Sequence, residues 1–228
     1  MKAWLLGLAL IVSASAHAQQ TLLGAGLRAR PAYDGSPNQR TDVVPVIRYY
    51  GRPWFARTTQ GMLEAGARTE LDKQFWAGAQ LAYEPQVDAA DVHAGVSAGL
   101  HLEWDRSIGP VPVSFLVRAR QHLDPNLGGQ ADLRATAGVL ARGGFLAGVY
   151  GQATWGTQNA VAARYGPRNA GLLFTSLGLL ASYELGRRWL LVGSVELRQL
   201  HDEVAESGIA EKQSNYYATA GIAYRFAR

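Results

Sequence analysis

The sequence predicts an all-β fold, an antiparallel transmembrane β-barrel of about 12 strands with short periplasmic turns and longer outer loops. Three observations carry this expectation. An export signal opens the chain, apolar and polar residues alternate with period two to its end, and the alternating stretches are longer than strands of soluble proteins.

The opening MKAWLLGLALIVSASAHA has a one-residue basic region, Lys2, an apolar run over 3–12 and the small-x-small triplet Ala16-His17-Ala18. That pattern predicts a secretory signal peptide over 1–18, with Gln19 as the mature N-terminus and a single outer-membrane barrel domain over 19–228. The 228 residues include no cysteine, so neither disulfides nor a lipidated N-terminal cysteine are expected. Of 22 basic residues only Lys2, Lys73 and Lys212 are lysines, and removing Lys2 lowers the formal charge from +4 to +3. The arginines are scattered and the chain is exported, which argues against a nucleic-acid partner. No mature stretch approaches the ~18 uninterrupted apolar residues of a transmembrane helix.

In VHAGVSAGLHLEW, residues 92–104, Val92, Ala94, Val96, Ala98, Leu100, Leu102 and Trp104 alternate with His93, Gly95, Ser97, Gly99, His101 and Glu103. The same alternation places Val113, Phe115 and Val117 opposite Ser114, Arg118 and Arg120, and Tyr216, Ala218 and Ala220 opposite Tyr217, Thr219 and Gly221. Period two is a strand signal. Thirteen residues at ~3.3 Å each span about 43 Å, enough to cross a hydrocarbon layer of about 30 Å at a tilt of ~45°. A long soluble β-sandwich would turn its apolar face inward, leaving glycine and arginine crowding the solvent face. In a membrane barrel the apolar side chains meet lipid and the lumen takes the arginines, glutamates and small residues.

The predicted strands are 22–33, 42–50, 53–58, 61–70, 74–84, 91–104, 111–122, 131–142, 144–155, 172–184, 189–200 and 214–226. Twelve is an even number, as a closed barrel with both termini in the periplasm requires. Connections after even strands are short: Gly51-Arg52, Leu71 to Lys73, Asp105 to Pro110, Gly143, and Leu185 to Arg188. Those after most odd strands are longer: 34–41, 85–90, 123–130, 156–171 and 201–213. The segment 53–70 fits worst, with two short strands joined by Thr59-Gln60, and a 10-stranded barrel is the alternative count. Trp54, Tyr83, Trp104, Trp155, Tyr183, Trp189 and Phe226 fall near strand ends, where an aromatic girdle belongs.

Tyr33-Asp34-Gly35-Ser36, followed by Thr41-Asp42-Val43-Val44-Pro45-Val46-Ile47-Arg48-Tyr49, resembles the first loop and second strand of the MipA/OmpV family of outer-membrane proteins. Leu179 to Trp189 is similar to that family's penultimate hairpin, Leu200 to Ser207 to its acidic loop, and Gly221 to Phe226 to its terminal strand. The resemblance spans essentially the whole mature chain. Departures are Ser207-Gly208-Ile209 where serine-proline is common, a shortened loop at Tyr165 to Ala170, and Ala227-Arg228 after the terminal aromatic. The resemblance implies a barrel in contact with outer-membrane lipid and lipopolysaccharide. By analogy it also implies a scaffold linking a murein-degrading transglycosylase to a murein synthase.

Catalytic, cofactor and metal sites are not expected. His93 and Ser97, like Ser97 and His101, are four residues apart on one face, but that face is the lumen and no His-x-Ser pair exists. His122 has no obvious serine, and His201-Asp202-Glu203 reads as a solvated loop end. Parity instead directs Arg28, Arg30, Arg48, Arg68, Arg118, Arg120, Arg134, Arg142, Arg198 and Arg225 into the lumen, with Glu64, Glu70, Glu84, Glu103, Glu184, Glu196, His93 and His101. These charges either pair and fill the interior, or leave an excess of arginine lining a narrow anion-preferring pore. Two functions follow, a non-enzymatic scaffold of the cell envelope or a small-solute channel.

Overall fold

The computed structural model describes residues 21–84, 94–166 and 169–226. The predicted signal peptide, the loop over 85–90 and His93 lie outside the described residues, as do the side chains of Asp202 and Glu203. Within the described residues, twelve antiparallel strands close into one barrel in which each strand pairs with its sequence neighbours and β1 (Thr21–Pro31) pairs with β12 (Ser214–Phe226). The others are β2 (Gln39–Tyr50), β3 (Trp54–Thr59), β4 (Met62–Asp72), β5 (Phe75–Glu84), β6 (Gly95–Ile108), β7 (Val111–His122), β8 (Gly129–Arg142), β9 (Phe145–Gly156), β10 (Gly171–Glu184) and β11 (Trp189–Leu200). The ten-stranded alternative is thereby set aside.

Closure satisfies the backbone groups that a lipid-exposed edge would leave bare. The outward face is apolar: Leu27, Val43, Leu100, Leu177 and Tyr216 are all more than half exposed. A soluble domain would expose these side chains to water, whereas here they meet hydrocarbon. Trp104 stacks on Phe115 at 5.7 Å, and Tyr224 packs edge-on against Trp189 and Phe226 at 5.2 and 4.9 Å, all facing outward near the periplasmic ends. Tyr83 and Trp155 are exposed near the opposite ends, so aromatics mark both edges of the apolar band.

Turn chemistry follows the side of the membrane. Gly143 and Gly144 both take positive φ between β8 and β9, as a two-residue hairpin turn requires. Gly109, also at positive φ, and Pro110 make the turn after β6. That strand continues to Ile108, four residues beyond the predicted end, so the expected turn over Asp105 to Pro110 shrinks to two residues. Its extra residues pair in register with β7, from Asp105↔Ser114 to Ile108↔Val111.

On the outer side the loops hold local structure that period-two reasoning does not detect. A 3-10 turn (Pro125–Leu127) and two helices, α1 (Gln158–Tyr165) and α2 (Asp202–Ala205), lie over the barrel mouth. Val161 and Tyr165 of α1 and Val204 of α2 bury against Leu173, Phe174 and Leu200. This is an apolar cap at the outer ends of β10 and β11. The first outer loop is pinned to β12, because Gly35 N–H donates to Asn215 Oδ1 at 2.6 Å and Asn215 Nδ2 donates to the Ser36 carbonyl at 3.0 Å.

One seam departs from the pattern. β3 has six residues where the other strands have ten to fourteen, and β2 pairs with β3 only at Arg48↔Arg57, Tyr49↔Ala56 and Tyr50↔Phe55. Above Arg48, β2 has no ladder partner on that side, and Pro45, which lacks an N–H, sits there as on an edge strand. The β3–β4 turn, with Gln60 and Gly61 at positive φ, turns into the lumen instead of continuing the wall. Its Gln60 Nε2 donates to Glu196 Oε2 on β11 at 3.1 Å, and a Cβ at Gly61 would strike the Arg28 guanidinium of β1.

Candidate functional site

The lumen holds the concentration of chemistry. Strand alternation sends Arg118 and Arg120 of β7 inward beside Asp132 of β8, and Glu64 of β4 faces them across the interior. Glu64 is fully buried, accepting from Arg57 Nε at 2.6 Å, Gln80 Nε2 at 3.2 Å and the Arg118 guanidinium. Arg118 also reaches Asp132 at 2.6 Å, and Thr154 donates to the same carboxylate at 2.8 Å. Arg120 extends the network to Glu84, which lies 3.5 Å from Arg164 of α1 and 3.6 Å from His122. At the other end, Arg57 and Arg68 both sit 3.4 Å from Glu103, and Arg68 lies over the Tyr50 and Trp76 rings at 4.3 Å. Arginine suits this interior because its fork serves two carboxylates at once while its flat face packs on aromatics.

A second network is centred on Glu196, which accepts from Tyr150 OH at 3.0 Å, Gln60 at 3.1 Å and Arg198 at 3.2 Å. Arg198 continues to Asp34 of the first outer loop at 2.7 Å, stacking on Phe174 at 3.9 Å and Tyr217 at 4.3 Å. Tyr217 OH donates to the same Asp34. Burial pushes the Asp34 carboxyl up, but the Arg198 guanidinium and the Tyr217 hydroxyl outweigh it and hold it below the ordinary carboxylate value.

Two cavities flank these networks. The outer one, about 170 Å³, lies under Tyr33, Asp34, Arg164 and Tyr165. The inner one, about 370 Å³, opens toward the periplasmic half among Leu22, Val46, Arg48, Arg134, Leu190 and Val192. Arg28, Gln60 and Tyr217 line both and form the partition between them. In the outer cavity Arg28, Arg30, Arg118, Arg120, Arg164 and Arg198 outnumber Asp34, Glu84 and Asp132, six to three.

The residues that parity directs into the lumen are distributed unevenly. Arg30 meets Asp42 at 2.6 Å, Arg225 meets Glu184 at 2.6 Å, and Arg48 lies over the Tyr50 ring at 5.7 Å. The buried arginines Arg30, Arg57, Arg68, Arg118, Arg120 and Arg198 each have a carboxylate within 4 Å. Among the described residues Arg28 and Arg134 have no carboxylate partner: Arg28 is 5.3 Å from the Tyr217 ring centre and Arg134 is 3.8 Å from that of Tyr150. Glu70 is exposed near a periplasmic turn, 3.8 Å from Arg52. Arg142 requires a correction. A bulge between Gly138 and Leu140 adds one residue to β8, so beyond it the alternation inverts and Arg142 falls opposite the exposed Phe145, on the outside.

Sequence reasoning missed Arg57, Asp132, Tyr150 and Gln60. Asp132 shares parity with Arg134 and was within reach of the alternation argument, whereas Gln60 lies in a turn that nothing local directs inward. Ser97 is fully buried, and neither its hydroxyl nor the ring nitrogens of His101 have a hydrogen-bond partner, so the two are not joined as nucleophile and base. His101 packs edge-on against Phe55 at 5.3 Å, and His201 bonds Thr175 Oγ1 at 2.7 Å.

Similarity to known proteins points to the same compartment. YiaT of Escherichia coli strains K12 and O157:H7, whose name assigns it provisionally to the outer membrane, is 26% identical over 96% of both chains. The COG4313 outer membrane channel from Pseudomonas putida F1 shares the fold, with a TM-score of 0.59 at 12% identity over 94% of this chain and 98% of its own. The profile of the MltA-interacting protein MipA family matches residues 23–226, and this outer-membrane chain belongs to that family.

Proposed function

We propose that this barrel is a non-enzymatic scaffold of the cell envelope, presenting its turns and loops to a murein-processing enzyme instead of conducting solutes. The observation that supports this reading is the partitioned lumen. The inturned Gln60-Gly61 turn meets Arg28 and Glu196, and the Glu64 network joins β3, β4, β7 and β8 through charge-assisted bonds. The family description, an MltA-interacting protein, names the class of partner. The periplasmic turns Gly109-Pro110 and Leu185 to Arg188 face the compartment where such an enzyme works.

The test combines two measurements on protein whose folding is verified by the mobility shift between unheated and boiled gel samples. In planar bilayers the barrel is expected to be silent, and in detergent it is expected to retain purified MltA. Exchanging Leu185 to Arg188 for a neutral turn is expected to abolish retention. A barrel that retains no MltA refutes the scaffold reading.

A second reading, a narrow anion-preferring channel, draws support from the six-to-three excess of arginine over carboxylate in the outer cavity. It predicts steady current with anion preference that falls or reverses selectivity in Arg120→Glu. Unchanged selectivity in that variant refutes it.

A further inference from the structure

The inner cavity combines two features that do not serve the ion-pair networks. Arg28 is more than nine-tenths buried with no carboxylate within 4 Å, and the half-buried Arg134 at the same cavity packs over the Tyr150 ring, also with no carboxylate within 4 Å. The carboxylate that acts on both, Glu196, does so from beyond 4 Å and is engaged by Tyr150, Gln60 and Arg198, so these guanidiniums offer an anion an incompletely compensated positive charge. Beside these arginines the wall turns apolar: Leu22 and Leu190 are buried against Ala223, with Val46 and Val192 packed on them. A barrel built only to fill its lumen would place a carboxylate within 4 Å of Arg28, as it does for its other buried arginines. A water-filled pore would not line its periplasmic half with leucine and valine.

We propose that this cavity binds an amphiphilic monoanion, with its carboxylate at Arg134 and Arg28 and its hydrocarbon body on Leu22, Val46, Leu190 and Val192. The volume, about 370 Å³, lies in the range of small-ligand pockets. The charges at its wall favour an anion, since neither Arg28 nor Arg134 has a carboxylate within 4 Å, and Glu196 is the carboxylate of the lining that acts on both. A dianion gains no further free arginine, because Arg57 already serves Glu64 and Glu103. The cavity also reaches the seam where β2 has no ladder partner, since Val44 to Ile47 and Thr58 to Gly61 belong to its lining. This inference is independent of the docking role, because binding is read on the barrel alone.

The experiment is equilibrium dialysis of radiolabelled 4-phenylbutyrate against the full barrel in phosphatidylcholine vesicles, with protein-free vesicles subtracted. One saturable site per barrel is expected, with 4-phenylbutanol binding at least tenfold more weakly. Arg134→Gln is expected to weaken binding about tenfold, the loss of one charge-assisted hydrogen bond. Arg164→Gln, which alters only the outer cavity, is expected to leave it unchanged. Val192→Trp fills the apolar half without touching a charge and is expected to abolish binding while the gel-shift folding assay stays normal. No saturable uptake above protein-free vesicles overturns the proposal. So does equal binding of acid and alcohol, or full binding by both Arg134→Gln and Val192→Trp.

Discussion

Replacing Glu64 by glutamine removes one charge from the centre of the main network while keeping the side chain's volume. Glu64 is fully buried and receives bonds from Arg57 and Arg118, each of which keeps one other carboxylate, Glu103 at 3.4 Å and Asp132 at 2.6 Å. An amide offers one acceptor oxygen, so one charge-assisted bond is lost and the other is weakened, at about 1.5–3 kcal/mol for a bond to a charged group. Removing one partner of a buried pair costs about 3–5 kcal/mol in general. Because both arginines retain a second carboxylate, the expected loss is toward the lower end, ~2–4 kcal/mol. The assay is urea unfolding of the barrel in lipid vesicles, followed by tryptophan fluorescence. Glu70→Gln is the matched control, since Glu70 is exposed and 3.8 Å from Arg52, and its expected cost is ~0–1 kcal/mol. If the two variants lose the same stability, water screens the lumen as it does the surface, and the filled interior is refuted.

Leu100→Arg places a charge on the lipid face of β6, where Leu100 is 67% exposed, and is expected to cost ~2–4 kcal/mol in the same assay. Full stability would mean that this face does not meet hydrocarbon. Gly178→Ala builds a Cβ into the Tyr150 ring, displacing its hydroxyl from Glu196, with an expected cost of ~1–3 kcal/mol. An unchanged unfolding midpoint would show that Tyr150 moves freely. The Asp34 carboxyl titrates below its ordinary value, so its contribution is present above the unfolded pKa of about 3.9 and is lost as pH falls through the folded value. Protease cleavage of the first outer loop is therefore expected to rise as pH falls below about 4, while Asp34→Asn shows the low-pH rate throughout. A pH-independent wild-type rate would contradict the anchor at Arg198 and Tyr217.

Strand positions were legible because the bilayer imposes them. One face must be apolar for the width of the hydrocarbon and the other need not be, so period two persists for ten or more residues and can be read without tertiary information. The same argument failed at Arg142, where Val139 and Leu140 are both exposed and the bulge between Gly138 and Leu140 inverts the count. The adjacent apolar pair Val139-Leu140 was the only local sign of that inversion. Parity also states which charges face inward but not which of them meet. Arg118 and Glu64 are 54 residues apart and touch only because closure brings β4 and β7 across one lumen. The outer helices escaped notice because α1 is stabilised by the apolar cap of Leu173 and Phe174, not by a periodic pattern of its own.

The segment that fitted the alternation least, 53–70, is the one that partitions the lumen. Six residues at ~3.3 Å reach only about 20 Å, too short to complete a wall across a hydrocarbon layer of about 30 Å. A hairpin that cannot finish the wall must either leave a gap in it or spend its end elsewhere. Here the end is anchored inside, by Gln60 on Glu196, Gly61 against Arg28 and Glu64 on the Arg118 guanidinium. The partners Glu196, Arg28 and Arg118 are charged and come from strands far from the hairpin in the chain, so the turn needs the closed barrel to hold it in place. The cost is a ladder of only three register pairs between β2 and β3. A single structural choice, shortening one strand, thus produces the partition between the cavities and the unpaired seam beside the larger of them. Lengthening β3 and β4 by two alternating residue pairs each should therefore close the seam and withdraw Gln60 from Glu196 together. A variant that gains one effect without the other would show that the inturned tip and the open seam have separate causes.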